Sequence, residues 1–352
     1  MKKINFVLPA ASGDPIGGYK VIFEYVNKLI SDGYKVNIIL PSIILWEEQE
    51  TLKKIKGVIR YIYFKIRDEK YLPYSWFPLD RRVKIYWVPT LEEKYIPKGD
   101  YIFATAVQTA EYVNKYSFDK GEKFYFIQSF EEWALPRQRV LKTWKTPLKK
   151  IVISKYLLEL AENLNEEAIY IENGLNFKKF FKEPIEKVPF NLIMLYHLKE
   201  EVKQSNAALN KIKNLKKKFP QLTLTLFGTS KKPKDLPNWI SYYQKPDEAT
   251  HRRLYNQAQI FISPSKIEGW ALPPAEAMQC GTCVCVTDIP GHEYIEHMKT
   301  GYLMKNIDYL EESIEFLLKN PKKIEELSND GHIFIQKFTW DKAYDKLKKY
   351  VS

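Results

Sequence analysis

Three cysteines among 352 residues are too few for a disulfide framework, and they crowd together as Cys280, Cys283 and Cys285. The C-x2-C-x-C spacing invites a metal reading. However, Val284 and Val286 interleave the thiols as in a strand, with Cys283 and Cys285 on one face, and no histidine or second cysteine pair accompanies them. Reduced, buried thiols are the expectation, and an odd count without an export signal points to the cytoplasm. No apolar run approaches the roughly 18 residues of a spanning helix. The apolar stretch at the N-terminus is short and interrupted by Asn5 and Pro9, so it reads as a first strand rather than a leader. Acidic and basic tails are lacking too: the net charge of +12 is shared by both halves of the chain. Local basic runs lie at 142–155 and 211–218, the second on an expected helix where a solvated face accounts for it. Such a charge suits nucleic acid, an anionic membrane surface or phosphorylated substrates. No recognised nucleic-acid-binding motif is present, so nucleic acid is not expected as a partner. No repeat of solenoid length occurs.

The length fits two domains of ordinary size, and with 45% apolar residues each has material for a core. Apolar runs alternate with helical periodicity. A strand at 3–8 leads through a glycine-rich loop, Ser12-Gly13-Asp14-Pro15-Ile16-Gly17-Gly18, to a helix at about 18–32 that Gly33 ends, then to a strand at 34–40. This is a βαβ unit. It lacks the G-x-G-x-x-G spacing and an acidic residue closing the second strand, which weighs against a dinucleotide site. Its glycines allow close backbone approach to a ligand. Residues 42–82 are aromatic and charged, with Tyr61-Ile62-Tyr63-Phe64 a candidate strand. Further strands are expected at 84–88, 101–105, 124–128 and 149–154, with helices at 108–115 and 155–163. The strand at 124–128 ends in the polar, aromatic loop Ser129-Phe130-Glu131-Glu132-Trp133. Ligands bind beyond the carboxyl ends of such strands, which makes Gln108, Gln128, Glu131 and Trp133 candidates for acceptor contact. An exposed loop without a ligand explains them equally well. The charged, proline-containing stretch 178–189 reads as a linker. A second alternation starts at 191, with strands at 192–196, 222–227 and 259–262, then the cysteine strand and 301–304, and a mostly helical tail from 307 to 351.

The stretch 263–281 is the most specific. Seven residues separate Glu268 from Glu276, with a glycine-containing turn and Pro273-Pro274 among them. The strand before and the helix-forming Ala275, Glu276, Ala277 and Met278 after make this a strand, loop and helix N-terminus. Free amides at Gly269, Trp270, Ala271 and Leu272 and the positive end of the helix dipole converge there and suit a phosphate. Glu268 can accept hydrogen bonds from sugar hydroxyls, and Glu276, expected in the first helical turn, can reach a ribose. A glutamate in a first turn is also common for its effect on the dipole alone.

The whole run closely resembles the Glu-x7-Glu motif of retaining glycosyltransferases of GT-B fold, similar to glycosyltransferase family four, which includes many bacterial polysaccharide mannosyl-, glucosyl- and rhamnosyltransferases. The resemblance is strongest over 191–303. It implies two Rossmann-like α/β domains facing each other across a cleft: 1–172 on the acceptor side and 173–337 for the donor, with the final helix, 338–352, crossing back onto the first. It further implies that Gly17 and Gly18 face the donor, that Lys203 touches its diphosphate, and that the backbone at Gly269, Trp270 and Ala271 holds sugar and distal phosphate. An Asn-Gly such as Asn173-Gly174 marks the passage between the domains. Where the family has an arginine this chain has His197, and where it has a glycine after the lysine this chain has Gln204. An imidazolium at His197 would substitute for the arginine; Lys203 as a plain surface lysine, beside Glu200 and Glu201, is the competing reading. Asp-x-Asp occurs nowhere, so transfer without a metal or other cofactor is expected, with lysines and amide dipoles facing the diphosphate.

The expected activity is therefore transfer of a sugar from a nucleotide diphosphate sugar to a growing glycan or lipid-linked acceptor, at or near the inner membrane face. The alternative is a non-catalytic protein of the same fold that holds a nucleotide sugar or glycan.

Overall fold

Runs such as Lys35–Pro41, buried at every position after the first, cannot serve a sheet with one wet face. They make strands of parallel sheets covered on both sides, and two such sheets organise the chain. The structure, a computed structural model, describes residues 1–10, 15–45, 51–66, 76–198 and 200–352. They fall into two units, one of residues 1–172 with 343–352, the other of 173–342. Ser12, Gly13 and Asp14 of the glycine-rich loop lie outside the described residues.

The first unit runs β1 (Lys3–Val7), α1 (Gly17–Ser31), β2 (Lys35–Pro41), α2 (Thr51–Ile66), β3 (Lys84–Val88), β4 (Tyr101–Ala104), α3 (Val107–Lys115), β5 (Glu122–Ile127), α4 (Arg137–Trp144), β6 (Lys149–Val152), α5 (Lys155–Asn163) and β7 (Ala168–Tyr170). Its seven-stranded sheet has the order β3-β2-β1-β4-β5-β6-β7, all pairs parallel. Register stacks aromatic on aromatic: Phe6 pairs with Phe103 and Phe103 with Phe124. Their rings lie 4.8 and 4.7 Å apart in succession, adding ring contacts to the area they bury. Gly33 ends α1 with φ of +88°, a conformation that suits glycine alone.

The second unit runs β8 (Asn191–Leu195), α6 (Ser205–Lys218), β9 (Thr223–Gly228), β10 (Ile240–Gln244), α7 (Glu248–Gln257), β11 (Ile260–Ser263), α8 (Leu272–Gln279), β12 (Cys283–Thr287), β13 (Tyr302–Met304), α9 (Leu310–Lys319), α10 (Pro321–Ile335) and α11 (Trp340–Val351), the last of which continues into residues counted with the first unit. Its six-stranded parallel sheet has the order β10-β9-β8-β11-β12-β13. Leu192, Met194, Leu224, Leu226, Cys283 and Cys285 belong to one buried core with α6 and α9. All three thiols are buried, and burial pushes those of Cys280 and Cys283 up to about 12.

Four expectations change. Tyr61 to Phe64 are helical, within α2. The stretch 178–189 is no linker but part of the second unit, pinned there by Glu183 N–H donating to Asn256 Oδ1 (2.8 Å) and Val188 N–H to Gln257 O (2.8 Å). Helix α4 and strand β10 appear where neither was expected. Residues 343–352 group with the first unit, whereas Phe338 stays in the second, its ring 5.7 Å from that of Trp270. Among the described residues no helix is long and apolar enough to cross a membrane.

Candidate active site

In each sheet the chain first adds strands to one side and then returns to the other. In the second unit that reversal lies between β8 and β11, and loops beyond the carboxyl ends of such a pair splay apart and leave a crevice. The loop after β8 carries His197 and Lys203; the loop after β11 carries Glu268, Gly269 and Trp270. Residues 65 apart in sequence therefore meet. Lys203 Nζ lies 2.7 Å from Glu268 Oε1, and Ser265 Oγ donates to the same oxygen at 2.7 Å. Both partners of the ion pair keep some exposure, 23% for the lysine side chain and 17% for the glutamate. Lys266 N–H donates to Val202 O at 2.8 Å, which ties the two loops together.

Backbone conformation explains the residue that follows the lysine. A 3-10 turn at Glu201–Lys203 feeds α6 through Gln204, whose φ of +49° and ψ of +24° are left-handed. Glycine would take that conformation freely, so the glutamine carries strain there. His197 is not a bare cation facing the crevice. Its N–H donates to Ser205 Oγ (3.0 Å), and its Nδ1 lies 3.0 Å from Glu200 Oε1. That contact holds the Glu200 carboxyl below the usual range.

A third loop, after β12, supports Glu268 from behind. A Cβ at Gly291 would stand 2.4 Å from Glu268 Cβ and 2.5 Å from its carbonyl oxygen, so only glycine admits this approach. Gly291 O accepts from Ala271 N–H at 3.0 Å. Thr287 Oγ1 donates to Ser265 O. His292, fully buried, has Nδ1 2.8 Å from Thr287 O. Burial pushes its imidazole down, so at neutral pH it is uncharged, with Nδ1–H the donor. Its Nε2 has no hydrogen-bond partner among the described residues. A chain of bonds thus runs from His292 through Thr287 and Ser265 to Glu268. Neither Ser265, Gly291 nor His292 stands out in the sequence. The only signal is the turn chemistry of Ile289-Pro290-Gly291.

Helix α8 begins at Leu272, with prolines in its first turn. Its amino end faces the loop of Glu268, but with the Ala271 amide engaged, the donors left for a ligand are Gly269, Trp270 and Leu272. The Trp270 indole packs on Tyr294 (4.5 Å between rings), so only its backbone is on offer. Glu276 is the fifth helical residue, not part of the first turn, because the helix starts three residues before Ala275. It is buried. Among the described residues no cluster of three or more His, Cys, Asp or Glu could hold a metal ion.

The acceptor candidates gather in the first unit, again at carboxyl ends of strands. Gln128, just after β5, donates from Nε2 to Gly18 O at 3.1 Å, and a Cβ on Gly18 would touch that amide. Gly17 opens α1 with free space around it. Glu131 accepts from Val107 N–H, the first amide of α3, at 2.5 Å. Burial nonetheless raises its carboxyl to about 7. Gln108 Oε1 is buried without a hydrogen-bond partner among the described residues, and Trp133 is largely exposed. Gly18, Gln128, Gln108 and Glu131 thus come together around the amino ends of α1 and α3; Trp133 stands on the loop outside.

Residues 176–333 match the family described as Glycosyl transferases group 1. An uncharacterized glycosyltransferase of Methanocaldococcus jannaschii is 26% identical over 213 residues, 57% of this chain and 58% of its own length. Among solved structures, Anabaena HepE in complex with UDP and glucose superimposes with a TM-score of 0.73 at 14% identity, covering 100% of this chain and 99% of that one. S. aureus TarM, in complex with fondaparinux, α-GlcNAc-glycerol and UDP, gives 0.72 at 12% identity with 99% of both chains covered. The fold is GT-B, two Rossmann-like domains with parallel sheets, and the chain spans 58% of the length of the curated relative it matches.

Proposed function

We propose that this chain is a retaining glycosyltransferase that moves a sugar from a nucleotide diphosphate sugar onto a growing glycan or lipid-linked acceptor of the cell envelope, without a metal ion. The observation that carries the reading is the meeting of Lys203 and Glu268 at the reversal point of the second sheet, 2.7 Å apart and in front of the amino end of α8.

Breaking the bond between sugar and diphosphate builds negative charge on the leaving group and positive charge on the sugar ring. A cation and amide dipoles aimed at the first, and a carboxylate beside the second, stabilise both without having to reorganise. Lys203 and the amides of Gly269, Trp270 and Leu272 face the diphosphate, and Glu268 takes the sugar hydroxyls and stands beside the ring. Without a donor, Lys203 and Glu268 satisfy each other. Binding exchanges that pair for phosphate on one side and sugar on the other. Glu276 contributes a buried carboxylate one turn further into α8. Lys203 and the amide dipoles at the amino end of α8 replace the divalent ion in this scheme, while His197 is engaged by Glu200. Relatives solved with UDP, and with UDP and glucose, support a nucleotide sugar as the donor class. In the first unit, Gln108, Gln128 and Glu131 form the acceptor side.

The test follows nucleotide release from UDP-, GDP- and dTDP-sugars with EDTA present. One of them turns over, and Glu268→Gln removes most of that turnover while circular dichroism is unchanged. Wild-type rates in Glu268→Gln would refute the assignment, and a requirement for added Mn²⁺ would refute metal independence.

A further inference from the structure

A surface helix ordinarily turns its apolar stripe to the core and its charges to water. Helix α2 has an apolar stripe on the wrong side. Ile55, Ile59, Ile62 and Ile66 are 50, 60, 49 and 79% exposed. At 100° per residue, these four fall within an arc of about 60° on one face. The opposite face makes the contacts with the unit. Gly57 is buried, and a Cβ there would stand 2.3 Å from Ile43 Cγ2. Ser42 Oγ donates to Gly57 O at 3.4 Å, and the Tyr61 ring lies 4.9 Å from that of Trp87. The helix is therefore docked by its Gly57–Tyr61 side, and the isoleucine side is left facing outward.

Charge decides what would cover it. Between 51 and 66 the sequence has Lys53, Lys54, Lys56, Arg60 and Lys65 and no acidic residue. Lys56 and Arg60 border the isoleucine stripe on one flank and Lys65 on the other. A second copy of the chain would set this cationic face against itself, which like charges oppose. An anionic bilayer instead offers hydrocarbon for the isoleucines and headgroup phosphates for long basic side chains that bury their stems and keep their charges at the interface.

We infer that α2 docks the chain onto an anionic lipid surface, with Ile55, Ile59, Ile62 and Ile66 entering the headgroup and acyl boundary. The inference rests on the proposed glycosyl transfer only in naming where a lipid-linked acceptor would be met. Position agrees with that purpose: the hydroxyl of Tyr112 of α3 donates to Leu45 O, and α3 also carries Gln108.

The test is co-sedimentation of the full chain with vesicles of phosphatidylglycerol and phosphatidylcholine, and with vesicles of phosphatidylcholine alone, at low and high salt. The chain should sediment with the anionic vesicles and remain in solution with the neutral ones. Ile59→Ser/Ile62→Ser should weaken partitioning at least about tenfold at either salt concentration. Lys56→Glu/Arg60→Glu should weaken it chiefly at low salt. Nucleotide release from a soluble donor, measured without vesicles, should be unchanged in both variants. A wild type that stays in solution with anionic vesicles overturns the inference, as does sedimentation of the isoleucine variant equal to the wild type. If that variant instead converts a wild-type dimer to a monomer in analytical ultracentrifugation, the face belongs to a second copy and the inference falls. Absence of nucleotide release in the wild type would count against the transferase reading and leave the vesicle result standing.

Discussion

The contact between Lys203 and Glu268 makes a quantitative demand. At 2.7 Å, with both side chains under a quarter exposed, the Coulomb attraction at an effective dielectric of about 20 is about 6 kcal/mol. Desolvation of both ions offsets most of this and solvent screens the rest, leaving a coupling of about 1–2 kcal/mol. In Lys203→Met, Glu268 keeps only Ser265 Oγ; in Glu268→Gln, Lys203 loses its counter-charge. Each single variant should therefore lose about 1–2 kcal/mol in urea unfolding, and the double variant should lose less than the sum by the coupling. Turnover should behave in the same non-additive way. Each single change removes about 100- to 1000-fold from kcat/KM, and the double variant falls little below the worse single one, because the two groups serve one charge rearrangement. Single effects that add to within about 0.3–0.5 kcal/mol would refute the reasoning.

Further outcomes concern the frame around the pair and two buried ionisable groups. Gly291→Ala puts a methyl group inside contact distance of Glu268, so it should cost about 1–3 kcal/mol of stability and lower nucleotide release at least about tenfold. Glu131, raised to about 7 by burial from an ordinary 4.5, holds its proton better in the folded chain. Its contribution to stability is present below pH 4.5 and lost as pH rises through 7, so Glu131→Gln should gain up to about 3 kcal/mol over wild type at pH 8 relative to pH 4.5. No change in that difference across the window would contradict the burial of the carboxyl. Lys187 is lowered to about 7 by burial, with Nζ donating to Thr282 Oγ1 at 2.9 Å. Here the unfolded chain binds the extra proton, so the stability of wild type relative to Lys187→Met should rise between pH 7 and pH 9. A flat difference in thermal unfolding over that window would count against it.

Much of this was legible from residues alone, for a physical reason. Strands buried on both faces must be continuously apolar, so runs such as Asn191–Leu195 and Ile260–Ser263 announce themselves. Once their order is known, the loops that follow them must meet. Lys203 and Glu268 themselves come from the resemblance to the Glu-x7-Glu motif and its preceding lysine, and the strand order explains why they meet. Strand β10 escaped notice because, at the edge of its sheet, it buries only Ile240 fully and otherwise mixes polar and aromatic residues. Helix α4 was hidden in a basic run, where only Val140, Thr143 and Trp144 are buried. The aromatic and β-branched Tyr61 to Phe64 read as a strand although isoleucines recur at helical spacing from 55 to 66; the stripe faces outward, where no core argument predicts it. Glu276 falls beyond the first turn because α8 already starts at Leu272, so Leu272, both prolines and Ala275 come before it. Gly291 and His292 were invisible because their roles are contacts with Glu268 and Thr287 that only packing creates.

The most direct measurement of the central claim is a calorimetric titration of UDP, GDP and dTDP into the full chain with EDTA present, for wild type and Lys203→Met. One nucleotide should bind the wild type, and Lys203→Met should bind it about 10- to 100-fold more weakly, the loss expected for one charge-assisted hydrogen bond to a phosphate. Equal affinity in the two proteins, or binding only when a divalent metal is restored, would contradict the account.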